Sequence, residues 1–398
     1  MADPVIVCGG GPAGLTTALF LARRGIRVVV LERAAEVFED PRAATFHPPT
    51  LEFYEASGVT ADLHAQGIVA PRWQFRDRRD GLVAEFDLTV LHDETKFPYR
   101  LQCEQHKLVR ILLARLADFP NVEVRFGIEV EDIRQHADHV AVLAKDHATI
   151  LRAAYVVGAD GGRSVVRKSQ NIAFEGFTYD ERFLVITTDF DFFQRGFAVS
   201  NYLSDPAEWA AMFKVPGRTP AGLWRVVFPV PVEAEEAALL SHEAAQARLA
   251  KFLPAPEPYR IEHINLYQVH QRVAATFRQG RVLLAGDAAH VNNPLGGMGM
   301  NFGIHDAISA AETIADVMQG AAPDSLLDRH DRQRRHVATN FLQAMTIQNK
   351  KTLEERDPDR RAASQQELRA IAADPARAHA YLLRTSMIEG VRAAAAIA

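Results

Sequence analysis

Three glycines near the start of the chain have the spacing of a phosphate-binding turn. Gly9, Gly11 and Gly14 fit G-x-G-x-x-G within "VIVCGGGPAGLTTALFLARRGIRVVVLERA". The first glycine of such a turn permits a tight bend, the second lets backbone approach a pyrophosphate, and the third allows close helix–strand packing. Glu32 closes the next apolar run, where a carboxylate can accept hydrogen bonds from ribose hydroxyls. The pattern predicts a dinucleotide site, for NAD or for FAD.

A second segment, "GDAAHVNNPLGGMGMN", is poor in reactive side chains. It begins at Gly286 and Asp287, directly after the apolar run "VLLA", and contains neither cysteine nor serine. A carboxylate at a strand end can accept hydrogen bonds from hydroxyl groups, and small residues let backbone approach a flat ring. We infer that this segment holds a cofactor that carries the reactive group.

A third acid follows an apolar run in "YVVGADGGRSVVRKS". Asp160 and Gly161 end that run, and Arg163, Ser164 and Arg167 come next. Taken alone, such an acid often only caps the following turn or helix.

The elements that position these residues alternate between strands and helices. Val5–Cys8 and Ile26–Leu31 are predicted as buried parallel strands. Pro12–Arg24 is predicted as the helix between them, with proline near its start and Gly25 just beyond its end. The order predicts an α/β fold that opens with a Rossmann-like unit.

Together the three motifs resemble the FAD-dependent aromatic hydroxylases of the para-hydroxybenzoate hydroxylase class. They extend from Gly9 to Asn301, about three quarters of the chain. The resemblance implies a discontinuous FAD-binding domain interleaved with a β-sheet substrate domain, plus C-terminal helices. The expected ranges are 1–70, 100–182 and 268–345 for the FAD domain, 71–99 and 183–267 for the substrate sheet, and 346–398 for the C-terminal helices.

The resemblance also implies roles for residues along the FAD. Glu32 would bind the adenosine ribose with Arg33 beside the adenine, and Arg42 would lie near the pyrophosphate. Gln102 would touch the ribityl chain. Asp160 lies in the motif tied to FAD and to transient pyridine-nucleotide binding.

At the flavin end, Asp287 would accept hydrogen bonds from the ribityl hydroxyls. Pro294–Asn301 would run under the ring, and a helix starting near Met300 would direct its N–H groups at the pyrimidine edge and favour the reduced anion. The full predicted cofactor set is Gly9, Gly11, Pro12, Ala13, Gly14, Glu32, Arg33, Arg42, Gln102, Asp160, Gly286, Asp287, Pro294, Gly297, Gly299, Met300 and Asn301.

The implied reaction is hydroxylation of an aromatic ring with NAD(P)H and O2, through a flavin C4a-hydroperoxide. No second strand–G-x-G-x-x-G–helix unit follows in the sequence, which fits NAD(P)H as a transient co-substrate. The family often has an arginine near the position of Pro49, in the segment "HPPTLE". Proline cannot supply the ionic interaction of that arginine.

The predicted substrate-side residues are Pro294, His47, Tyr202 and Arg225. An electrophilic oxygen donor favours an electron-rich ring, so a histidine or tyrosine that deprotonates a phenol is plausible. His47, Tyr202 and His290 are the candidates, although for each of them a structural role is the more common one. Arg225 could pair with a substrate carboxylate if its side chain points inward.

Composition excludes several other functions. The chain has 398 residues and a formal net charge of −5, which argues against nucleic-acid binding. Its two cysteines, Cys8 and Cys103, are expected to be reduced structural thiols, and no metal site is predicted. No apolar run reaches the roughly 20 residues of a membrane span. We expect a cytoplasmic protein, and a homodimer is the assembly to be tested.

Three alternatives stay open at this level. A flavin-dependent halogenase would carry W-x-W-x-I-P, whereas the corresponding stretch here, "WRVVFP", lacks the second tryptophan. A flavin-dependent reductase of isoprenoid chains would act without O2. A flavin-binding protein without turnover is the non-enzymatic reading.

Overall fold

The computed structural model describes residues 3–39, 42–145, 150–218 and 221–398. Its strands are numbered here in chain order. They are β1 (Val5–Cys8), β2 (Val28–Glu32), β3 (Thr45–Phe46), β4 (Ile68–Ala70), β5 (Arg72–Asp77), β6 (Gly81–Asp87), β7 (Arg100–Gln102), β8 (Val122–Phe126), β9 (Val130–Gln135), β10 (Val140–Ala144), β11 (Ile150–Ala153), β12 (Tyr155–Gly158), β13 (Phe174–Thr188), β14 (Ser200–Ser204), β15 (Ala210–Val215), β16 (Leu223–Pro231), β17 (Ile261–Ala274), β18 (Arg278–Gln279), β19 (Val282–Leu284) and β20 (His290–Val291).

The helices are numbered in the same way. They are α1 (Pro12–Arg23), α2 (Pro48–Glu55), α3 (Val59–Gln66), α4 (Gln105–Leu116), α5 (Val165–Ser169), α6 (Glu236–Leu239), α7 (His242–Phe252), α8 (Gly299–Met318), α9 (Leu327–Val337), α10 (Ala344–Glu354), α11 (Pro358–Ala373), α12 (Pro375–Thr385) and α13 (Ile388–Ala395). Short 3₁₀ turns lie at Leu88–Leu91, Phe192–Arg195, Gly286–Ala288 and Asp324–Leu326, and a π-helical stretch at Ala338–Gln343 joins α9 to α10.

A six-stranded sheet with the order β18-β19-β12-β1-β2-β8 carries the nucleotide motifs. All its strand pairs are parallel except β18–β19 at the edge. Apolar side chains of α1, α4 and α8 pack on one face, and the small β11-β10-β9 sheet packs on the other. The sheet is covered on both faces, which explains why β1 and most of β2 are continuous buried apolar runs.

The second large sheet has eight strands in the order β20-β17-β13-β16-β15-β14-β5-β6. Its pairs are antiparallel apart from β14–β5. Buried residues of α7 pack on one face, and buried residues of α11, α12 and α13 pack on the other. The C-terminal helices therefore cover the substrate-side sheet.

Several predicted elements are confirmed with shifted ends. The first helix ends at Arg23, and the second strand starts at Val28 because Val28 pairs with Val5 at the start of β1. The hairpin at Asp80-Gly81 forms between β5 and β6, with Gly81 at φ 83°. The Ala- and Glu-rich composition of Val232–Phe252 predicts one helix, whereas the structure has two, α6 and α7.

The predicted domain ranges stay a prediction. One strand, β13, extends across a predicted boundary between two of them. β13 starts at Phe174, inside the range 100–182, because its first half pairs with the second half of β17. In the C-terminal region, proline at 375 predicts a helix break at Asp374-Pro375. The break separates α11 from α12, and the Asp374 carboxylate accepts hydrogen bonds from the N–H groups of Ala376 and Arg377. Within the described residues, no helix is long and apolar enough to cross a bilayer.

Candidate active site

In the G-x-G-x-x-G turn between β1 and α1, two of the three glycines have no space for a side chain, and the third does. A Cβ on Gly9, which has φ +110°, would lie 2.3 Å from the carbonyl oxygen of Ala159. A Cβ on Gly14 would lie 1.9 Å from the carbonyl oxygen of Gly9. A Cβ on Gly11 would meet no atom within 4 Å. The turn thus leaves space at the position where a pyrophosphate would approach the backbone.

The start of α1 fits an anionic ligand. Pro12 begins the helix after Gly11, and no described side chain caps its first N–H groups. Glu32 lies beside this turn, and its two carboxylate oxygens accept hydrogen bonds from the N–H groups of Gly10, at 2.6 Å, and Ala34, at 2.8 Å. These bonds fix the carboxylate at the sheet edge, where its remaining lone pairs can accept from ribose hydroxyls.

The three predicted strand-end acids lie at one edge of the parallel sheet. β2 ends at Glu32, β12 ends just before Asp160, and β19 ends just before Asp287. Because these strands are parallel, their carboxyl ends meet at the same edge. This is the edge at which open α/β sheets bind ligands.

The Asp287 side chain is accessible to solvent and is also closely surrounded by protein atoms. Its side chain is solvent-accessible, although the residues on either side of it are buried. Protein atoms nevertheless surround it closely, so lost solvation raises the pKa of its carboxyl, against the opposing effect of His290 and Arg42. We interpret the two observations together as a carboxylate in a narrow cleft. Such a group can accept hydrogen bonds from hydroxyls of a bound ligand.

The Asp160 side chain is hydrogen-bonded to the start of α5, the helix that follows it in the chain. Its carboxylate accepts hydrogen bonds from the Ser164 hydroxyl at 2.5 Å and from the N–H groups of Val165 at 2.7 Å and Val166 at 3.2 Å. Burial raises the pKa of Asp160, and these hydrogen bonds oppose the rise. The geometry shows a helix cap, and the predicted role in nucleotide binding stays a prediction.

Two amide side chains of the predicted cofactor set are also held by protein groups. The amide oxygen of Gln102 accepts from the Thr45 hydroxyl at 2.9 Å, and its NH₂ donates to the Ser200 hydroxyl at 3.1 Å. Gln102 is fully buried. It therefore joins β7 to β3 and β14, which connects the two large parts of the fold.

Asn301 is the most fully engaged of these residues. Its amide oxygen accepts from the N–H of His47 at 3.0 Å and the hydroxyl of Thr50 at 2.8 Å. Its NH₂ donates to the carbonyls of Thr45 and Gly297, both at 2.8 Å. All four hydrogen-bonding positions of the amide are filled. The side chain joins the start of α8 to β3 and to the start of α2, so any contact with the cofactor falls to the backbone.

The loop at 293–297 is held by α10 through two hydrogen bonds that no sequence motif indicated. The Asn293 amide donates to the carbonyl of Thr346 at 2.9 Å, and the Asn349 amide donates to the carbonyl of Leu295 at 3.0 Å. Pro294 is exposed, and its carbonyl accepts from the N–H of Gly297 at 2.9 Å. Exposed Pro294 and partly exposed Gly297, Gly299 and Met300 leave one side of the loop open for a ring.

A cavity of about 460 Å³ lies beside this loop. Its walls come from the large sheet, the loop and helices α10 to α12. Tyr202, a predicted substrate residue, lines it, and its ring packs edge-on against Trp73 with 5.7 Å between centroids. Arg100 and Tyr381 also line the cavity, and no sequence motif indicated either residue.

His47 contacts the loop through the carbonyl of Gly296, and its imidazole is too weakly basic for strong base catalysis. Its Nε2 is 2.9 Å from the carbonyl oxygen of Gly296, which can only accept, so Nε2 carries the proton. Burial lowers the pKa of His47 to about 3, with the charge of Arg100 acting in the same direction. Because its pKa lies far from neutral pH, His47 would be a weak general base. The geometry shows a residue that positions Gly296.

His290 belongs to a buried ionic cluster. Its Nε2 is 2.7 Å from Oδ2 of Asp306, and Oδ1 of Asp306 accepts from Nε of Arg334 at 2.7 Å. The N–H of Gly286 also donates to Oδ2 of Asp306, at 3.2 Å. His290 therefore helps fix the turn before Asp287. The nearby "HD" pair in "NFGIHDA" was the available signal for Asp306, but nothing local indicated that it points inward.

Arg225 points inward, one of the two orientations considered from the sequence. It is buried, and its Nη1 donates to the carbonyl oxygen of Arg42 at 2.5 Å. Burial lowers the pKa of Arg225 to about 10, while Glu104 and Tyr267 oppose the shift. Arg225 is absent from the residues that line the cavity in the described chain. Its observed function is to hold the backbone at Arg42, whose own side chain, like that of Arg33, is exposed.

Comparison with known proteins agrees with this geometry. Residues 3–345 match a family described as FAD binding domain. Para-nitrophenol 4-monooxygenase of Pseudomonas sp. (strain WBC-3) is 35% identical over 98% of this chain and 97% of its own length. 6-Hydroxy-3-succinoylpyridine 3-monooxygenase of Pseudomonas putida (strain DSM 28022 / S16) is 33% identical over 90% of this chain and 91% of its own length.

Solved structures give the same result. The crystal structure of p-nitrophenol 4-monooxygenase from Pseudomonas putida DLL-E4 has a TM-score of 0.92 and 34% identity, and the match covers 98% of both chains. Aklavinone-11 hydroxylase, solved with FAD and aklavinone, has a TM-score of 0.77 and 30% identity over 88% of this chain and 69% of that chain. The open turn at Gly11, the uncapped α1 and the Asp287 cleft fit FAD. The chain therefore belongs to the family of proteins with this FAD-binding domain, and it is an FAD-dependent aromatic hydroxylase.

Proposed function

We propose that the chain hydroxylates a single aromatic ring that already carries a hydroxyl group, with NAD(P)H as electron source. The relatives are named for para-nitrophenol and 6-hydroxy-3-succinoylpyridine, which are both hydroxylated single rings. The observation that carries the proposal is the cavity of about 460 Å³ beside Gly296 and Met298. This volume is near the lower end of the roughly 300–1,000 Å³ of small-molecule sites, which suits one substituted ring.

The residues around the sheet edge would hold the cofactor as follows. The first N–H groups of α1 and the open side of Gly11 would receive the pyrophosphate, and Glu32 the adenosine ribose. Asp287 would accept from the ribityl hydroxyls. Pro294 and the backbone of Gly297–Met300 would lie against the flavin ring, with the N-terminus of α8 directed at it. When bound, FAD supplies hydride acceptance from NAD(P)H and activation of O2.

Other residues of the chain would position this assembly. Gln102 and Asn301 would hold the flavin loop through the hydrogen bonds described above, and His47 would hold the carbonyl of Gly296. Arg225 would fix the backbone of Arg42, which places the Arg42 side chain near the cleft of Asp287. We assign these residues to positioning, because each has a side-chain polar atom that is hydrogen-bonded to protein, although Nδ1 of His47 and Nε of Arg225 have no partner in the described chain.

The large sheet and helices α10 to α12 would bind the ring and exclude water. Trp73 and Tyr202 offer aromatic surface on one side, and Leu353 and Leu368 offer aliphatic surface from the C-terminal helices. Exclusion of water favours transfer of oxygen to the ring over its loss to solvent. The net reaction converts NAD(P)H, a proton, O2 and the ring into NAD(P)⁺, water and the hydroxylated ring.

The test begins with the purified full chain. It should be yellow, and denaturation should release FAD in an amount close to one per chain. NADH and NADPH oxidation should then be followed with and without 4-nitrophenol, a hydroxypyridine and benzene, while an electrode records O2. We expect the hydroxylated rings to accelerate both rates and benzene to leave them low.

Two results would contradict the proposal. One is a colourless protein that cannot be reconstituted with FAD. The other is a yellow protein whose NAD(P)H oxidation responds to no hydroxylated ring and yields no oxygenated product. Sedimentation of the same preparation tests the proposed homodimer separately.

A further inference from the structure

Arg100 is a buried cation without a counter-charge. Its side chain belongs to β7, is 3% exposed, and lines the cavity. Among the described residues, no ion pair or hydrogen bond to its guanidinium is present, and its Nε is buried with no partner. Its recorded contact is with the face of Trp73, 5.4 Å from the ring centroid. A buried charge is strongly unfavourable unless something pairs with it.

Other buried arginines near the site each have at least one protein partner, although Nε of Arg225 is also buried without one. Arg334 pairs with the carboxylate of Asp306, and Arg225 donates to the carbonyl of Arg42. Of the charged residues that line the cavity, Glu367 pairs with Arg377, and Arg384 lies 3.7 Å from Glu389. These charges have protein partners within the described chain. Arg100 leaves donors with no acceptor other than what enters the cavity.

The groups around Arg100 are aromatic and uncharged. Trp73 lies between Tyr202, 5.7 Å away edge-on, and Tyr381, 6.2 Å away, both measured between ring centroids. Burial raises the pKa of Tyr381 to about 12, so its hydroxyl is neutral and can donate a hydrogen bond. His47, whose low pKa partly reflects the charge of Arg100, is also neutral. Two further charged residues line the cavity, Glu367 and Arg384, and both are paired with other residues of the described chain. The cavity thus offers Arg100 as its unpaired cation, together with aromatic faces and neutral hydroxyl donors.

We propose that Arg100 binds an anionic oxygen on the aromatic ring of the substrate, and that the chain takes a hydroxylated ring as its phenolate. The proposal rests on the proposed function and names the ionic form of its substrate. A guanidinium in a water-poor cavity favours the anion over the neutral phenol. The phenolate is also the more electron-rich ring, which oxygen transfer requires. No basic side chain is then needed at the ring.

The experiment uses the oxidised, FAD-loaded enzyme without NAD(P)H, so that nothing turns over. 4-Nitrophenol is the probe, because its neutral and ionised forms absorb at different wavelengths. Difference spectra recorded over a range of pH report both its affinity and its ionisation when bound. We expect the wild type to bind it as phenolate at pH values where the free compound is mostly neutral.

Arg100→Met should weaken binding by about tenfold to a hundredfold, the range for hydrogen bonds to charged groups, and the bound probe should lose its ionised spectrum. Arg100→Lys keeps the charge without the planar fork and should retain the ionised spectrum with weaker binding. Arg72→Gln is the matched control. It removes an exposed arginine of β5, next to Trp73 in sequence, and should change neither property.

Two further probes separate the possible anions. Nitrobenzene carries no anionic oxygen, and its binding should be unaffected by Arg100→Met. 4-Nitrobenzoate tests a carboxylate in place of the phenolate, and tighter binding of 4-nitrobenzoate than of 4-nitrophenol to the wild type would overturn the assignment of a phenolate. The proposal also fails if the wild type binds neutral 4-nitrophenol as tightly as the anion, a result that does not depend on how any variant folds. An enzyme that carries FAD and hydroxylates phenols while showing this result would keep the proposed function and lose only the role of Arg100.

Discussion

Oδ2 of Asp306 lies 2.7 Å from Nε2 of His290, and both side chains are buried beneath the turn that presents Asp287. Asp306 belongs to α8, whose N-terminus is directed at the proposed flavin site. The same carboxylate also accepts from Arg334 and from the N–H of Gly286. One buried anion therefore links α8, α9 and the turn after β19. The cluster therefore fixes the position of the turn that carries the Asp287 carboxylate.

Replacing Asp306 by Asn should destabilise the protein strongly. The substitution leaves the guanidinium of Arg334 buried without its anion, and loss of one partner of a buried pair costs about 3–5 kcal/mol. Because the turn before Asp287 loosens as well, FAD affinity should fall. Chemical denaturation and FAD titration of the same variant check both effects. Asp316→Asn on the same helix is the control, since Asp316 pairs with Arg24 at the surface and should cost under about 1 kcal/mol.

The same carboxylate predicts a direction of pH dependence. Its pairing with Arg334 and His290 holds the pKa of Asp306 below its usual range despite burial. A depressed folded-state pKa gives stability that is present above the unfolded pKa, near 3.9, and is lost as the pH falls below it. Wild-type melting temperature should therefore fall on acidification below about pH 4 more steeply than that of Asp306→Asn. Parallel curves would contradict the assignment.

The nucleotide end of the site could be predicted from sequence because its requirements are local. The bend at Gly9, the packing at Gly14 and the acid at the end of β2 depend on residues within a single βαβ unit. Spacing along the chain therefore carries the information. The same reasoning located Asp287 at the sheet edge, since a strand end is also a local feature.

The substrate end could not be predicted in this way. Arg100 lies on a three-residue strand with no motif, and it lines the same cavity as Tyr202 and Tyr381, which are far from it in sequence. Whether a buried arginine has an ion-pair partner depends on tertiary contacts, and these cannot be read from the local sequence. For the same reason, the sequence identified Arg225 as a substrate residue, although its guanidinium is engaged by the Arg42 backbone.

Two alanine substitutions in the first turn should separate binding from folding. Gly11 has φ −79° and ψ −174°, which alanine tolerates, and its Cβ would enter empty space. Gly11→Ala should therefore keep the melting temperature of the FAD-free protein, while its methyl group meets the pyrophosphate and lowers FAD affinity at least tenfold, about 1.4 kcal/mol. Gly14→Ala should lower the melting temperature itself, because its Cβ would lie 1.9 Å from the carbonyl oxygen of Gly9.

Each variant serves as the control for the other. Both add one methyl group to the same turn, and the two effects should appear in different measurements. Unchanged FAD affinity in Gly11→Ala would mean that the pyrophosphate does not approach this turn.

Asn301→Ala should loosen the flavin loop. The substitution removes four hydrogen bonds that join the start of α8 to Thr45, His47, Thr50 and Gly297. Each is worth about 0.5–1.5 kcal/mol, and the buried partners are left unsatisfied. A loss of several kcal/mol in unfolding free energy is expected, together with weaker FAD binding. Asn340→Ala is the control, since the Asn340 amide bonds only its own helical stretch at His336 on the surface, and its loss should be within about 0.5 kcal/mol.

His47 should remain neutral throughout the working range of the enzyme. Burial lowers its folded-state pKa to about 3, below the ordinary value of about 6.5. A group of this kind contributes stability that is present above pH 6.5 or so and is lost as the pH falls toward the folded pKa, by up to about 1.4 kcal/mol per pH unit. His47→Gln removes the titration and can still donate to the carbonyl of Gly296. From pH 7 to pH 5, the melting temperature of the wild type should therefore fall relative to that of His47→Gln.

His92→Gln, at an exposed histidine, should show no such trend. A pH–rate profile whose inflection near neutrality disappears in His47→Gln would instead identify His47 as the base, and would contradict both its burial in the neutral form and the phenolate role of Arg100.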